Sequence, residues 1–293
     1  MKFLNNIFII MLIVGCSTPK QETTTASSRT DSKPLIFQPS INNVNTPKLE
    51  EDNRFPLYTS TDFGKTWNAL NTSIPQNANV SFIELFGDEL IVATDNYGVF
   101  ISQNSKTDWT TISNNLRSKK INALHVSDHK IYVSAYGSGL YFTKDKGINW
   151  ESINYNLGSL ESQSVLMNDG KLLAGTDDGI YELQENTKTW TLLFPNVQVL
   201  SLFKHKNRLI AGTNLGTLLS PNNGKTWNWI HEEGAVHYTK LIDTTIVEMY
   251  IYNDVFISSN WGEDWTNADY IPREGSYVYE IEQVGNGLVM SNN

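Results

Sequence analysis

The chain has 293 residues, with 31 acidic against 22 basic side chains and a formal net charge of −9. That balance argues against nucleic acid, or an anionic lipid surface, as the main partner. With Cys16 as the single cysteine, the sequence excludes an internal disulfide, a cysteine-based metal centre and a cysteine nucleophile in the folded domain.

In chain order, residues 1–15 read as a signal peptide. Lys2 precedes the apolar run IFIIMLIV (Ile7–Val14), which is too short to span a bilayer stably. The ending Ile13-Val14-Gly15-Cys16 resembles a bacterial lipobox, which implies cleavage before Cys16, lipid attachment to its thiol and membrane contact through that lipid. Residues 16–53 are rich in Thr, Ser, Pro and Asn with few large apolar side chains, so they read as a flexible tether. Residues 54–293 are long enough for one large core.

Within that domain one eight-residue segment recurs. It reads STDFGKTW (Ser60–Trp67), SQNSKTDW (Ser102–Trp109), TKDKGINW (Thr143–Trp150), LQENTKTW (Leu183–Trp190), SPNNGKTW (Ser220–Trp227) and SSNWGEDW (Ser258–Trp265). A period of about 40 residues signals a repeat architecture. Each repeat carries four β-like runs bounded by Gly, Asn, Asp or Ser; the copy from Ile121 to Ile153 shows INALHVS, KIYVSAY, GLYFTK and NWESI. Four short strands per repeat make a propeller blade. At the C-terminus, Tyr279–Val284 and Leu288–Ser291 read as the first two strands of a blade that stops, and Phe55–Ser60 with Trp67–Leu70 as the last two of a blade without a beginning. The expected fold is therefore all-β: a monomeric six-bladed β-propeller of four-stranded blades, with N- and C-terminal strands sharing one blade and closing off the sheet edges.

The repeated segment has turn chemistry. Asp62, Asn104, Asp145, Glu185, Asn222 and Asn260 are expected to accept hydrogen bonds from turn amides, and Gly64, Gly147, Gly224 and Gly262 to supply unusual backbone angles. Trp67, Trp109, Trp150, Trp190, Trp227 and Trp265 are expected to pack on the blade. The pattern S-x-[DN]-x-G-x-[TND]-W resembles the Asp-box, or BNR, repeat of sialidases, sortilin-type receptors, xyloglucan hydrolases and the photosystem II assembly factor family. The resemblance covers the whole domain, and it implies ligand binding on the face opposite these turns.

If the repeated turn joins third and fourth strands, that opposite face carries the second-to-third strand turns and the links between blades. It gathers Asp95, Tyr97, Tyr136, Asp177, Asp178 and Tyr252 from the turns. The links add Arg117, Lys119, Lys120, His231, Glu232, Glu233, Tyr270, Arg273 and Glu274, with His237 and Tyr238 next to them. Tyrosines among carboxylates and basic groups suit sugar or peptide recognition. The five histidines are not spaced to converge on a metal, and no phosphate loop or nucleophilic triad is visible, so no cofactor is expected. A sialidase would need an arginine triad, a Tyr nucleophile assisted by Glu and an acidic proton donor. Outside the tether only Arg54, Arg117, Arg208 and Arg273 are present, and the early Arg-Ile-Pro motif of that family is missing. The expected role is therefore a binding or scaffold module in the bacterial cell envelope for a protein or glycan, with a sialidase-like glycoside hydrolase as the alternative.

Overall fold

Alternating and near-continuous apolar runs separated by turn residues fold as short antiparallel strands in chain order. A computed structural model describes residues 57–59, 68–70, 72–102, 108–232, 234–242, 245–250, 254–267, 278–284 and 287–292. After β1 (Tyr58–Thr59) and β2 (Asn68–Ala69), the first full sheet holds β3 (Val80–Phe86), β4 (Glu89–Thr94), β5 (Val99–Ser102) and β6 (Trp109–Thr111). The second comprises β7 (Ile121–Ser127), β8 (Lys130–Ala135), β9 (Gly139–Thr143) and β10 (Glu151–Ser152), the four runs expected for that copy. The third is β11 (Ser162–Asn168), β12 (Lys171–Thr176), β13 (Gly179–Gln184) and β14 (Thr189–Pro195). The fourth is β15 (Val199–His205), β16 (Arg208–Thr213), β17 (Gly216–Ser220) and β18 (Asn228–His231). The fifth is β19 (Val236–Ile242), β20 (Thr245–Tyr250), β21 (Val255–Ser258) and β22 (Thr266–Asn267), and the chain ends in β23 (Val278–Val284) and β24 (Gly287–Asn292).

First strands of successive sheets lie side by side: β3 with β7, β7 with β11, β11 with β15, β15 with β19 and β19 with β23. Five four-stranded sheets thus follow one another in series, as blades do. The terminal strands stand as two separate two-stranded sheets, β1–β2 and β23–β24. They flank the series at opposite ends, because Leu57 packs with Val80, Leu90 and Val92 of the first full sheet while β23 lies beside β19 of the last.

The core sits between neighbouring sheets. Every full sheet buries its second strand on both faces, and Ile91, Val92, Ala93, Ile131, Val133, Leu173 and Ala174 are closed to solvent. One apolar cluster joins Ile91, Val99 and Ile112 of the first full sheet to Leu124, Val133, Tyr141 and Trp150 of the second. Similar clusters join the second sheet to the third and the third to the fourth.

The repeated segment joins third and fourth strands and is held by its own polar side chains. In the copy from Thr143 to Trp150, the Gly147 amide donates to Thr143 Oγ1 (2.9 Å) and the Thr143 hydroxyl donates to Asp145 Oδ1 (2.7 Å). Asp145 Oδ1 also accepts from the Asn149 amide (2.9 Å). The same set recurs at Ser220, Asn222, Gly224 and Thr226 and at Ser258, Asn260, Gly262 and Asp264. The three glycines have φ of +77°, +84° and +88°. Gly147 has a second reason to be glycine, since a Cβ there would collide with the Ile112 carbonyl of the preceding sheet.

The tryptophans bridge sheets. Trp150 Nε1 donates to the Ile112 carbonyl (2.6 Å), Trp190 Nε1 to Ile153 (2.5 Å) and Trp265 Nε1 to Ile230 (3.1 Å), each in the fourth strand of the preceding sheet or just past it. Trp109 is buried beside Leu57 and Val80, and Trp227 is half-buried with its Nε1 unpartnered. The copy from Leu183 to Trp190 departs from this set. Lacking the hydroxyl and the glycine, it closes through the Thr187 amide on the Gln184 carbonyl (3.2 Å), and Glu185 is exposed. Asp62, Trp67 and Asn104 lie outside the described residues, as do Cys16 and the tether.

Bonds from the Asn149 amide, then from its side chain and from Thr143, hold the Asp145 carboxyl down at about 2. A depressed carboxyl stabilises the fold above its ordinary value of 3.8, and that contribution is lost as pH falls toward about 2. Asp145→Asn keeps the acceptor oxygen, as Asn222 and Asn260 do, but removes the titration. Acid unfolding followed by circular dichroism should therefore show a shallower loss of stability in that window for Asp145→Asn; an unchanged acid limb would contradict the assignment.

Candidate functional site

Opposite the repeated turns, the second-to-third strand turns and the sheet-to-sheet links are stitched together by backbone bonds. The Asp95, Tyr136, Asp177 and Asn214 amides, each at the start of such a turn, donate to the Asn79, Lys120, Glu161 and Gln198 carbonyls just ahead of the first strands (2.9–3.0 Å). The Gly98 amide donates to the Lys119 carbonyl (2.8 Å), tying the first turn to the next link. The result is a rim along the first four full sheets.

The rim is polar in two blocks. Arg117, Lys119 and Lys120 occupy the link between the first and second full sheets, while Glu161, Asp177 and Asp178 cluster at the third. Lys120 Nζ sits 4.5 Å from the centre of the exposed Tyr136 ring, in cation–π range. Lys119 donates to the Ser113 carbonyl, and burial lowers its pKa.

Several expected ligand residues are tied down. Tyr97 donates its hydroxyl to Asn77 Oδ1 (2.9 Å), and Asp95 Oδ2 accepts from Asn79 Nδ2 (3.3 Å). Asp178 accepts from the Thr176 hydroxyl (2.6 Å) and the Tyr181 hydroxyl (2.9 Å), so it braces its own turn. Burial, then that bond and the nearby carboxylates, push the Tyr181 hydroxyl up to about 12. Among the described residues, Arg117, Lys119, Lys120, Tyr136, Asp177 and Glu232 are the exposed members of the expected set.

Apart from Tyr136, sequence reasoning missed the apolar part of this face. Among the described residues seven large hydrophobic side chains are exposed, and four of them, Tyr136, Tyr155, Leu160 and Leu215, lie in these turns and links. For Tyr155, Leu160 and Leu215 the only signal was position, an apolar residue inside a turn or link.

No protein-family profile and no curated protein matches this chain. Among solved structures, it is similar to YCF48 from Cyanidioschyzon merolae, with 15% identity over 78% of this chain and 83% of that one and a TM-score of 0.59. A structure of YCF48 bound to D1 peptide matches at 14% identity over 77% and 78%, with a TM-score of 0.57. The extracellular domain of BT4673 from B. thetaiotaomicron matches at 21% identity and a TM-score of 0.56, over 71% of this chain but only 31% of the length of that one. The fold is propeller-like.

Placing the remaining expectations on a propeller corrects one of them. His231 was expected on a surface link but is the last residue of β18, buried against the fifth sheet. A bulge at Ile230 pairs His231 with Thr217 and turns its ring inward. There it stacks on Trp265 with ring centres 4.5 Å apart, and its Nδ1 lies 2.8 Å from Glu248 Oε2 and 2.7 Å from the Tyr250 hydroxyl. Glu232 is exposed, and Glu233, Tyr252, Tyr270, Arg273 and Glu274, with the side chains of His237 and Tyr238, lie outside the described residues.

The two arginines among the described residues lie on different faces. Arg117 is on the rim, whereas Arg208 starts β16 at the opposite end and stacks over the Trp261 ring at 4.2 Å. These two cannot share one substrate carboxylate.

Proposed function

We propose that this protein is a lipid-anchored, six-bladed propeller of the bacterial cell envelope that holds a segment of a partner protein on the rim of second-to-third strand turns and blade links. The observation that carries the reading is the concentration of exposed Tyr136, Tyr155, Leu160 and Leu215 on that one face, the first three between a basic and an acidic block and Leu215 just beyond the acidic one. Apolar anchors flanked by both charge signs suit a peptide better than a glycan, which offers hydroxyls but little charge. A complex of a similar fold, YCF48 bound to D1 peptide, is consistent with peptide capture by this architecture. Ring closure would come from β24 pairing with the N-terminal strands, so that β1–β2 and β23–β24 form the sixth blade. The Cys16 lipid would hold the ring at the membrane through the tether.

The test uses soluble protein lacking residues 1–16. Tyr136→Ala and Arg117→Ala, both exposed, should change stability by about 0.5 kcal/mol or less while abolishing capture of the envelope partner. Lys225→Glu, on the repeated-turn face, should leave capture intact. Turnover of a fluorogenic sialoside that disappears in Arg117→Ala would instead support the hydrolase.

A further inference from the structure

The seam between the fourth and fifth sheets is built differently from the others. On the second strand, the position held by Val92, Val133, Ala174 and Ala211 in the first four sheets becomes Glu248 in the fifth. Opposite it on the first strand, Ile83, Leu124, Val165 and Leu202 give way to Thr239. On the third strand, the position of Val99, Leu140, Ile180 and Val255 is Thr217 in the fourth sheet alone. Three positions that are aliphatic elsewhere thus turn polar at the seam where these two sheets meet.

Their oxygens are buried and unsatisfied. Thr217 Oγ1, Thr239 Oγ1 and Glu248 Oε1 have no hydrogen-bond partner, and neither does Ser201 Oγ, which belongs to the residue paired with Gly212. Thr217, Thr239 and Glu248 are closed to solvent. Gly212 makes room among them, since a Cβ there would press on both Thr239 Oγ1 and Ser201 Oγ. The other Glu248 oxygen is already taken by His231 Nδ1 (2.8 Å) and the Tyr250 hydroxyl (3.3 Å).

We propose that this seam encloses ordered water, bound by the Ser201, Thr217 and Thr239 hydroxyls and the free oxygen of Glu248. Buried polar atoms without protein partners are unfavourable, and a buried water commonly takes two to four such partners. Hydroxyls can both donate to and accept from water, while the carboxylate oxygen accepts. A divalent cation fits poorly, because a single carboxylate, already hydrogen-bonded to a histidine, leaves at least half of its charge uncompensated.

The experiment is a high-resolution crystal structure of the unmodified protein, paired with oxygen-17 magnetic relaxation dispersion in solution. The expected result is density in the seam at hydrogen-bonding distance, about 2.7–3.0 Å from those oxygens, and at least one long-lived water. Gly212→Ala should reduce that long-lived signal, as should Thr217→Leu with Thr239→Leu and Glu248→Val, which restores the aliphatic pattern of the other seams. A dry seam in the unmodified protein would overturn the proposal, even if neither variant folds. So would a peak at about 2.4 Å from the oxygens, or an anomalous signal there after a rubidium soak, since either marks a cation.

Discussion

Trp150→Ala should destabilise the fold by about 3–5 kcal/mol, the range for a buried aromatic truncated to alanine, measured as a fall in the urea midpoint. The ring is buried between the first and second full sheets, in one cluster with Ile91, Val99 and Val133. Its loss opens a cavity there and strands the Ile112 carbonyl, which now accepts from Nε1 at 2.6 Å. Trp227→Ala should be milder, about 2–3 kcal/mol, because that ring is half-buried and its Nε1 has no hydrogen bond to lose. Equal losses at the two positions, or a loss below about 1 kcal/mol at Trp150, would contradict the bridging role.

Cys16→Ala should abolish incorporation of labelled palmitate and move the protein from the membrane to the soluble fraction. The motive is the Ile13-Val14-Gly15-Cys16 ending after a short apolar run. No other cysteine can accept a thioether-linked lipid, so the effect is all or none. Labelling that survives the substitution would remove the anchor from this account.

The sheet order was legible because each repeat announces its strands twice, by alternating apolar residues and by turn residues between them. INALHVS became β7, and GLYFTK became β9 with its last residue just past the strand. The hydroxyl opening the repeated segment was visible at Thr143, Ser220 and Ser258, but its bond to the glycine amide depends on backbone geometry that a pattern does not state. His231 was misplaced because Glu232 and Glu233 follow it and look like a loop, whereas a one-residue bulge at Ile230 carries the strand to His231. The substitution of Glu248 for valine or alanine stands in the aligned copies, but its meaning required seeing Thr217, Thr239 and Ser201 gathered at the same seam. At the rim, Tyr136 was picked out by its ring chemistry. Tyr155, Leu160 and Leu215 were passed over because single apolar residues in loops are common, and only their shared face makes them a surface.

Site-specific photocrosslinking in the source cells tests the binding face most directly. A photoreactive phenylalanine analogue at Tyr136 reports on the rim, and one at Lys225, exposed on the repeated-turn face, reports on the opposite side. The account predicts a discrete crosslinked protein adduct from position 136 and none from position 225. An adduct from position 225 with none from position 136 would contradict it.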